Sequence, residues 1–261
     1  MKTIIANWKM NVGIRESVAL ARGTLLALRG RKFAPEIALC PSFTALVDVK
    51  KTITRSHVAL GAQNVSSEEA GAFTGEVSAR MLVETGATHV IIGHSERRRL
   101  FGETDEIVGK KVALALSHKL VPIVCIGETK EEHAAGQTEA VVSRQLKAAF
   151  ALMTPRRDKD RLLVAYEPVW SISTSGTGLA DDPQEAAAVH AFIRRSLEQH
   201  IGRAQLSVLY GGSVNALDAY GFLREPEIDG VLVGGASVKL QEFIKIIDAA
   251  SEAIEGQAAA H

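Results

Sequence analysis

The sequence predicts an α/β protein, a single-domain (β/α)8 barrel, on three observations. Short apolar runs alternate with longer stretches of helical periodicity, eight times in all. Most of the runs are continuous apolar blocks, as parallel strands covered on both faces require, rather than strict apolar–polar alternation. The length, 261 residues, suits one closed barrel of roughly 250 residues. The rival architecture is a doubly wound open sheet, which would prefer a glycine-rich phosphate loop after its first strand. Here that strand ends in Asn7-Trp8-Lys9, with no GxGxxG.

Strands are expected at Thr3–Ala6, Glu36–Cys40, Val58–Ala62, His89–Gly93, Pro122–Ile126, Leu162–Tyr166, Leu206–Tyr210 and Gly230–Val233. The stretches between them place apolar residues at three- and four-residue steps, which buries one helix face. Examples are Val18, Leu25 and Leu28, then Ile107, Val112 and Leu116, and finally Phe243, Ile246 and Ile247. No linker divides the chain, so residues 1–261 are expected to form one domain, and the alanine-rich tail at 256–261 is expected to fray.

Composition narrows the function classes. Lys and Arg number 30 and Asp and Glu number 30. A neutral chain argues against general nucleic-acid or membrane-surface binding. Cys40 and Cys125 are the only cysteines, so no disulfide framework is implied and a reducing compartment fits. Neither CxxC nor HExxH occurs, which leaves zinc without an obvious seat. The N-terminal apolar stretch is too short for a signal peptide, and no apolar run approaches the ~18 residues of a membrane span. A cytoplasmic protein is the expectation.

In a barrel, chemistry gathers where the strands end. The first strand delivers Asn7 and Lys9. Lys9 reads either as a fixed cation for an anionic substrate or as a lysine snorkelling to the rim. The fourth delivers His94, followed by Ser95-Glu96-Arg97-Arg98-Arg99. At a helix start an imidazole favours its neutral form and can donate a hydrogen bond to a carbonyl. A structural histidine is the plainer reading. The three arginines read as a solvated or salt-bridged face, with Glu96, Glu103 and Asp105 as partners.

The sixth strand delivers Glu167, whose backbone Pro168 pushes toward extended geometry. A carboxylate there suits proton abstraction, and an ordinary salt-bridged Glu is the alternative. The small polar stretch Ser171–Gly178 that follows looks like a mobile lid. The seventh and eighth strands run into Gly211-Gly212-Ser213 and Gly234-Gly235. Paired glycines let backbone N–H groups converge on an oxyanion, so phosphate binding is expected there.

Together these segments resemble the triosephosphate isomerase family. The resemblance rests on Asn7-Trp8-Lys9-Met10-Asn11, Gly61-Ala62-Gln63-Asn64, Ile92-Gly93-His94-Ser95-Glu96-Arg97-Arg98, Cys125-Ile126-Gly127-Glu128, Tyr166-Glu167-Pro168-Val169-Trp170, Tyr210-Gly211-Gly212-Ser213-Val214 and Val233-Gly234-Gly235-Ala236-Ser237. They stand in the family's order over nearly the whole chain. The resemblance implies interconversion of dihydroxyacetone phosphate and D-glyceraldehyde 3-phosphate, a step of glycolysis and gluconeogenesis, without metal or organic cofactor. It implies Glu167 as base, His94 as neutral electrophile, Lys9 as substrate cation and Asn7 as polar partner at the substrate oxygens. Ser95 and Glu96 would orient His94 and Lys9. Ser213, Gly234 and Gly235 would supply backbone donors to phosphate. It also implies a homodimer in which the loop Val65–Glu76, with Phe73 in it, enters a pocket of a second subunit.

One departure stands out. The family usually reads Glu-Pro-Val-Trp-Ala-Ile-Gly-Thr-Gly and closes with a short hinge, often Lys-Thr-Ala. Counting back from Pro183 aligns Gly176-Thr177-Gly178 with the Gly-Thr-Gly and makes Ser173-Thr174-Ser175 an insertion, with Leu179-Ala180-Asp181 as hinge. Either Ser173 or Gly176 then donates to the phosphate. Two other readings compete: another phosphate-binding barrel enzyme, such as an epimerase or lyase, and a non-catalytic barrel serving as a scaffold.

Overall fold

The computed structural model describes residues 1–153, 161–172, 181–201 and 205–259. Eight parallel strands, β1 (Thr3–Asn7), β2 (Glu36–Cys40), β3 (Ala59–Ala62), β4 (His89–Ile92), β5 (Val121–Ile126), β6 (Arg161–Tyr166), β7 (Gln205–Tyr210) and β8 (Gly230–Val233), pair in chain order, and β8 returns to β1. The barrel is therefore closed and has no edge strand to protect. Each expected strand is present, with ends displaced by at most one residue.

Between the strands run α1 (Ile14–Leu28), α2 (Leu46–Ile53), α3 (Ala79–Glu84), α4 (Ser95–Phe101), α5 (Asp105–Ser117), α6 (Lys130–Ala134), α7 (Thr138–Phe150), α8 (Pro183–Ile201), α9 (Ala219–Leu223) and α10 (Leu240–Ala259). Local chemistry starts several of them. The Ser78 hydroxyl accepts from Met81 N–H to cap α3, and Thr129 with Glu132 forms a reciprocal cap on α6.

The strands are apolar throughout because both faces are covered. Ile5, Cys40, Ile91, Ile123, Cys125, Leu163, Leu209 and Leu232 fill the barrel interior, whereas Ile4, Leu39, Val90, Val124, Val164 and Val231 face the helices. At about 25 cal/mol per Å², burying both faces of eight strands is the main drive for closure.

The face of α1 is rotated from the expected one, with Leu25 and Leu28 packed at its margin against the core. Val18, Leu25 and Leu28 are only partly buried, and the covered residues are Ser17, Leu20, Ala21, Gly23 and Thr24. The reason is close approach: a Cβ on Gly23 would lie 2.5 Å from the Leu240 side chain of α10. Small residues therefore mark this contact, and periodicity weighted by hydrophobicity misses them. On α5, Val112 is buried as expected, while Ile107 and Leu116 sit at its margin. On α10, Phe243, Ile246 and Ile247 are all buried. That helix continues to Ala259, into the stretch expected to fray from 256, as alanine's high helix propensity favours.

At the opposite end of the barrel from the loops after the strands, Arg161 pairs with Glu36 and Thr3 donates to the same carboxylate. His89 is half-buried near Arg161 and Glu36. These polar side chains close the floor, leaving the C-terminal ends of the strands as the open face.

Candidate active site

Chain direction puts the residues after β1, β4, β6, β7 and β8 around one mouth. Lys9 leaves β1 in a left-handed conformation, φ 50°, which costs a lysine about 1 kcal/mol or more. Its surroundings hold it there. The Asn7 side chain accepts from Lys9 N–H at 3.1 Å, and the Gln63 amide donates to Lys9 O at 2.8 Å and to Cys40 O at 2.9 Å. The Lys9 ammonium then meets Glu96 at 2.7 Å. Burial alone would push the Glu96 carboxyl up, but the hydrogen bond and charge of Lys9 outweigh it and hold the group below the usual carboxylate range. A Cβ on Gly234 would lie 3.2 Å from Lys9 Cε, so the loop after β8 runs directly beside this cation.

His94 caps α4. Its Nδ1 accepts the Glu96 backbone N–H at 3.2 Å. With Nδ1 accepting there, Nε2 is the ring nitrogen left to donate into the mouth. That nitrogen lies 3.2 Å from Glu167 Oε1. The alignment is not that of a hydrogen bond, and Oε1 is buried without a hydrogen-bond partner. The other carboxylate oxygen, Oε2, accepts from Ser95 N–H at 2.8 Å. Glu167 is 2% exposed. The site thus presents one satisfied and one unsatisfied carboxylate oxygen beside an imidazole nitrogen, a combination suited to taking a proton from carbon while another group stabilises the developing oxyanion.

Glu167 is positioned from beneath. Its N–H donates to Ile126 O at 2.7 Å, and Gly211 N–H donates to Tyr166 O at 2.7 Å. A Cβ on Gly211 would come within 2.9 Å of Glu167 Cγ. Glycine at 211 therefore makes room for the carboxylate, a role distinct from phosphate binding. Cys125, buried in the barrel, faces the same carboxylate: burial first, then the charge of Glu167, pushes its thiol well above the usual range.

The structure brings Asn7, Lys9, His94, Ser95, Glu96 and Glu167 into one connected set, with Gly234 beside Lys9. Ser213 follows Gly212 at the end of β7, and Gly235 opens a 3-10 turn that ends at Val238. Ser173 and Gly176 lie outside the described residues, as does the apparent insertion Ser173–Ser175.

Among the arginines, Arg97 pairs with Glu103, and Arg98 pairs with Asp105 at 2.6 Å. Glu96, expected as a third partner for the arginine run, is instead drawn to Lys9, because barrel closure sets the two side by side. The sequence reading assigned no role to Gln63 or Cys125, and took Gly211 only as one of a phosphate-binding glycine pair. Gln63 directly follows β3, so the strand-end rule that found Lys9 and Glu167 would have flagged it.

Comparison with known proteins agrees with this geometry. A family model described as triosephosphate isomerase matches residues 2–250. Similar proteins named triosephosphate isomerase occur in Symbiobacterium thermophilum, 47% identical over 96% of this chain and 97% of the relative, and in Roseiflexus sp., 45% identical over 94% and 95%. A third, from Rhodopirellula baltica, is 45% identical over 96% of this chain and 98% of its own.

Proposed function

This chain belongs to the triosephosphate isomerase family, and from that membership we propose how its residues divide the interconversion of dihydroxyacetone phosphate and D-glyceraldehyde 3-phosphate. Glu167 is the base. Its unsatisfied Oε1 removes a proton from one carbon and returns it to the neighbouring one. The His94 Nε2–H polarises the carbonyl and stabilises the enediolate oxygen without bringing a net charge. Lys9 supplies the positive charge that offsets substrate and enediolate, held at its post by Glu96, and the Asn7 amide assists at the substrate oxygens. Ser95 supports Glu167 through its backbone N–H, and Glu96 supports both Lys9 and His94. Backbone N–H groups at Ser213, Gly234 and Gly235 take the phosphodianion, joined by Ser173 or Gly176.

The observation that carries this reading is His94 Nε2 set 3.2 Å from the unpaired Glu167 Oε1. Replacing Glu167 with Gln keeps the shape and removes the base. In a coupled assay with glyceraldehyde 3-phosphate, turnover should fall by about 10³-fold or more, with modest change in the affinity of a phosphoglycolate-type inhibitor. Near-normal turnover would reject the assignment.

The protein acts as a homodimer in this reading. Residues 69–76 of the Val65–Glu76 loop are exposed, and Phe73 at its tip is 46% exposed. Exposed or half-exposed large apolar side chains also occur at Met10, Phe43, Val47, Met81 and Val83, all following the first three strands. Such a sector suits a second copy of the chain. The base of the loop is rigid: Lys111 binds Asn64 at 2.8 Å and Glu103 at 2.5 Å. Sedimentation should give twice the chain mass, and Phe73→Asp should shift the protein toward monomer. The whole chain is taken as one folding unit, and a cytoplasmic location fits two buried, unpaired cysteines. No helix among the described residues is long and apolar enough to cross a membrane.

A further inference from the structure

The end of β5 and the segment after β6 run side by side. Val169 N–H donates to Glu128 O at 3.1 Å. Gly127, at φ 158°, is pressed so close that a Cβ would lie 1.9 Å from Glu167 O. The Glu128 side chain is fully buried. It accepts from Tyr166 OH at 3.0 Å and from Trp170 Nε1 at 2.8 Å. His133 of α6 completes the group: its Nδ1 stands 3.4 Å from Glu128 Oε1, and its ring stacks on Trp170 with centroids 4.4 Å apart and planes 29° apart. None of these side chains is needed at the reacting carbons, yet Trp170 belongs to the 3-10 turn Val169–Ser171 that begins just beyond Glu167-Pro168.

We propose that His133 is a positioning residue: its imidazolium, set against the Glu128 carboxylate and the Trp170 ring face, clamps the turn that follows Glu167-Pro168, and turnover responds to the charge on His133. The proposal rests on the reading of Glu167 as the base.

The electrostatics favour a cation at this spot. A buried carboxylate is costly unless paired, and among the described residues no lysine or arginine forms an ion pair with Glu128. Tyr166 and Trp170 provide neutral donors only. Burial, and then the Glu128 charge, keep the Tyr166 hydroxyl protonated. Asp181 adds a further carboxylate within electrostatic reach of Glu128. On α6 itself stand Lys130, Glu131 and Glu132. Glu132 is occupied with Thr129 N–H at 2.8 Å, and Arg144 lies 3.9 Å from it. Histidine is the ordinary side chain that charges in the neutral range, and a cation over an indole face gains further attraction. A charged His133 would make both an ion pair with Glu128 and a cation–π contact with Trp170, whereas a neutral one keeps only the stack.

The test compares wild type, His133→Gln, which cannot charge, and His133→Arg, which always does. Ratios of kcat between these proteins cancel the titration of substrate and of Glu167. Wild type should exceed His133→Gln by about fivefold near about pH 6 and by under about twofold near about pH 8.5, while His133→Arg keeps about fivefold at both. Trp170 emission should change across the imidazole range in wild type and in Glu167→Gln, but in neither His133 variant. A constant ratio of wild type to His133→Gln across the range would overturn the proposal, since mere packing does not titrate. An emission change that persists in His133→Gln would overturn it as well. If instead Glu167→Gln retained turnover, the base assignment would fail, and the emission titration would still report on the clamp.

Discussion

Glu167 Oε1 stands 3.2 Å from His94 Nε2 without being hydrogen-bonded to it, while Oε2 is held by Ser95 N–H at 2.8 Å. The carboxylate is anchored through one oxygen and left without a hydrogen bond through the other. Two glycines beneath it, Gly127 and Gly211, lack a side chain where one would press on Glu167. Activity should therefore be sensitive to the floor under Glu167 as well as to the residue itself.

Gly211→Ala tests that floor. Its Cβ would press within 2.9 Å of Glu167 Cγ and 3.2 Å of Tyr166 O. A displacement of the base by a fraction of an ångström should lower kcat by about 10- to 100-fold, with KM little changed. Circular dichroism should show the fold retained. Unaltered kcat would mean that the carboxylate has other room.

Lys9→Met keeps the length of the side chain and removes its charge. The loss should lower kcat/KM by about 10² to 10³, or roughly 3–4 kcal/mol, and weaken the binding of a dianionic inhibitor. It also leaves Glu96 without its ion-pair partner, so the Glu96 carboxyl should rise toward the ordinary range. Titration of Glu96 by carbon NMR checks that half independently of activity.

Asp181→Asn should stabilise the protein in alkaline conditions. Burial raises the Asp181 carboxyl to about 6 from an ordinary 3.8, and one of its oxygens is buried without a hydrogen-bond partner. A raised acid favours the folded state below its unfolded pKa, and that contribution is lost as pH rises through about 6. The variant should thus gain about 1–3 kcal/mol near about pH 8 and little near about pH 4. Denaturant curves at the two pH values measure it, and a loss of stability near pH 8 would count against the reading.

Acid should destabilise the fold well before most carboxylates titrate. Burial lowers both His89 and His190 to about 4 from 6.5, with the Arg161 charge adding to the effect at His89. Depressed bases contribute stability that is present above the unfolded pKa and lost as pH falls from about 6.5 toward 4. Each group should contribute a slope of about 1.4 kcal/mol per pH unit across that window. Unfolding monitored between those limits should show uptake of about two protons from these groups. Proton release instead would contradict it.

Much of the fold was legible in the sequence for one reason. A parallel strand buried on both faces writes a continuous apolar block, as in Leu162–Tyr166 or Gly230–Val233, and each block was placed within a residue of its end. The same rule located Asn7, Lys9, His94 and Glu167, since a barrel collects its chemistry where strands stop. Helix faces were less legible. The buried face of α1 includes Ser17, Ala21, Gly23 and Thr24 beside Leu20, and at Gly23 close approach to Leu240 of α10 leaves no room for a side chain.

What the sequence determined alone is the alternation of elements and the kinds of group that stand at the strand ends. Tertiary structure decided which of those groups meet. Lys9 takes Glu96 across 87 residues of chain, Glu167 takes Ser95 N–H across 72, and Gly211 slips beneath the base. Burial of a strand or helix face is a local property that a short window of residues encodes. Partnership across the mouth depends on how eight strands close, and no single window contains that geometry.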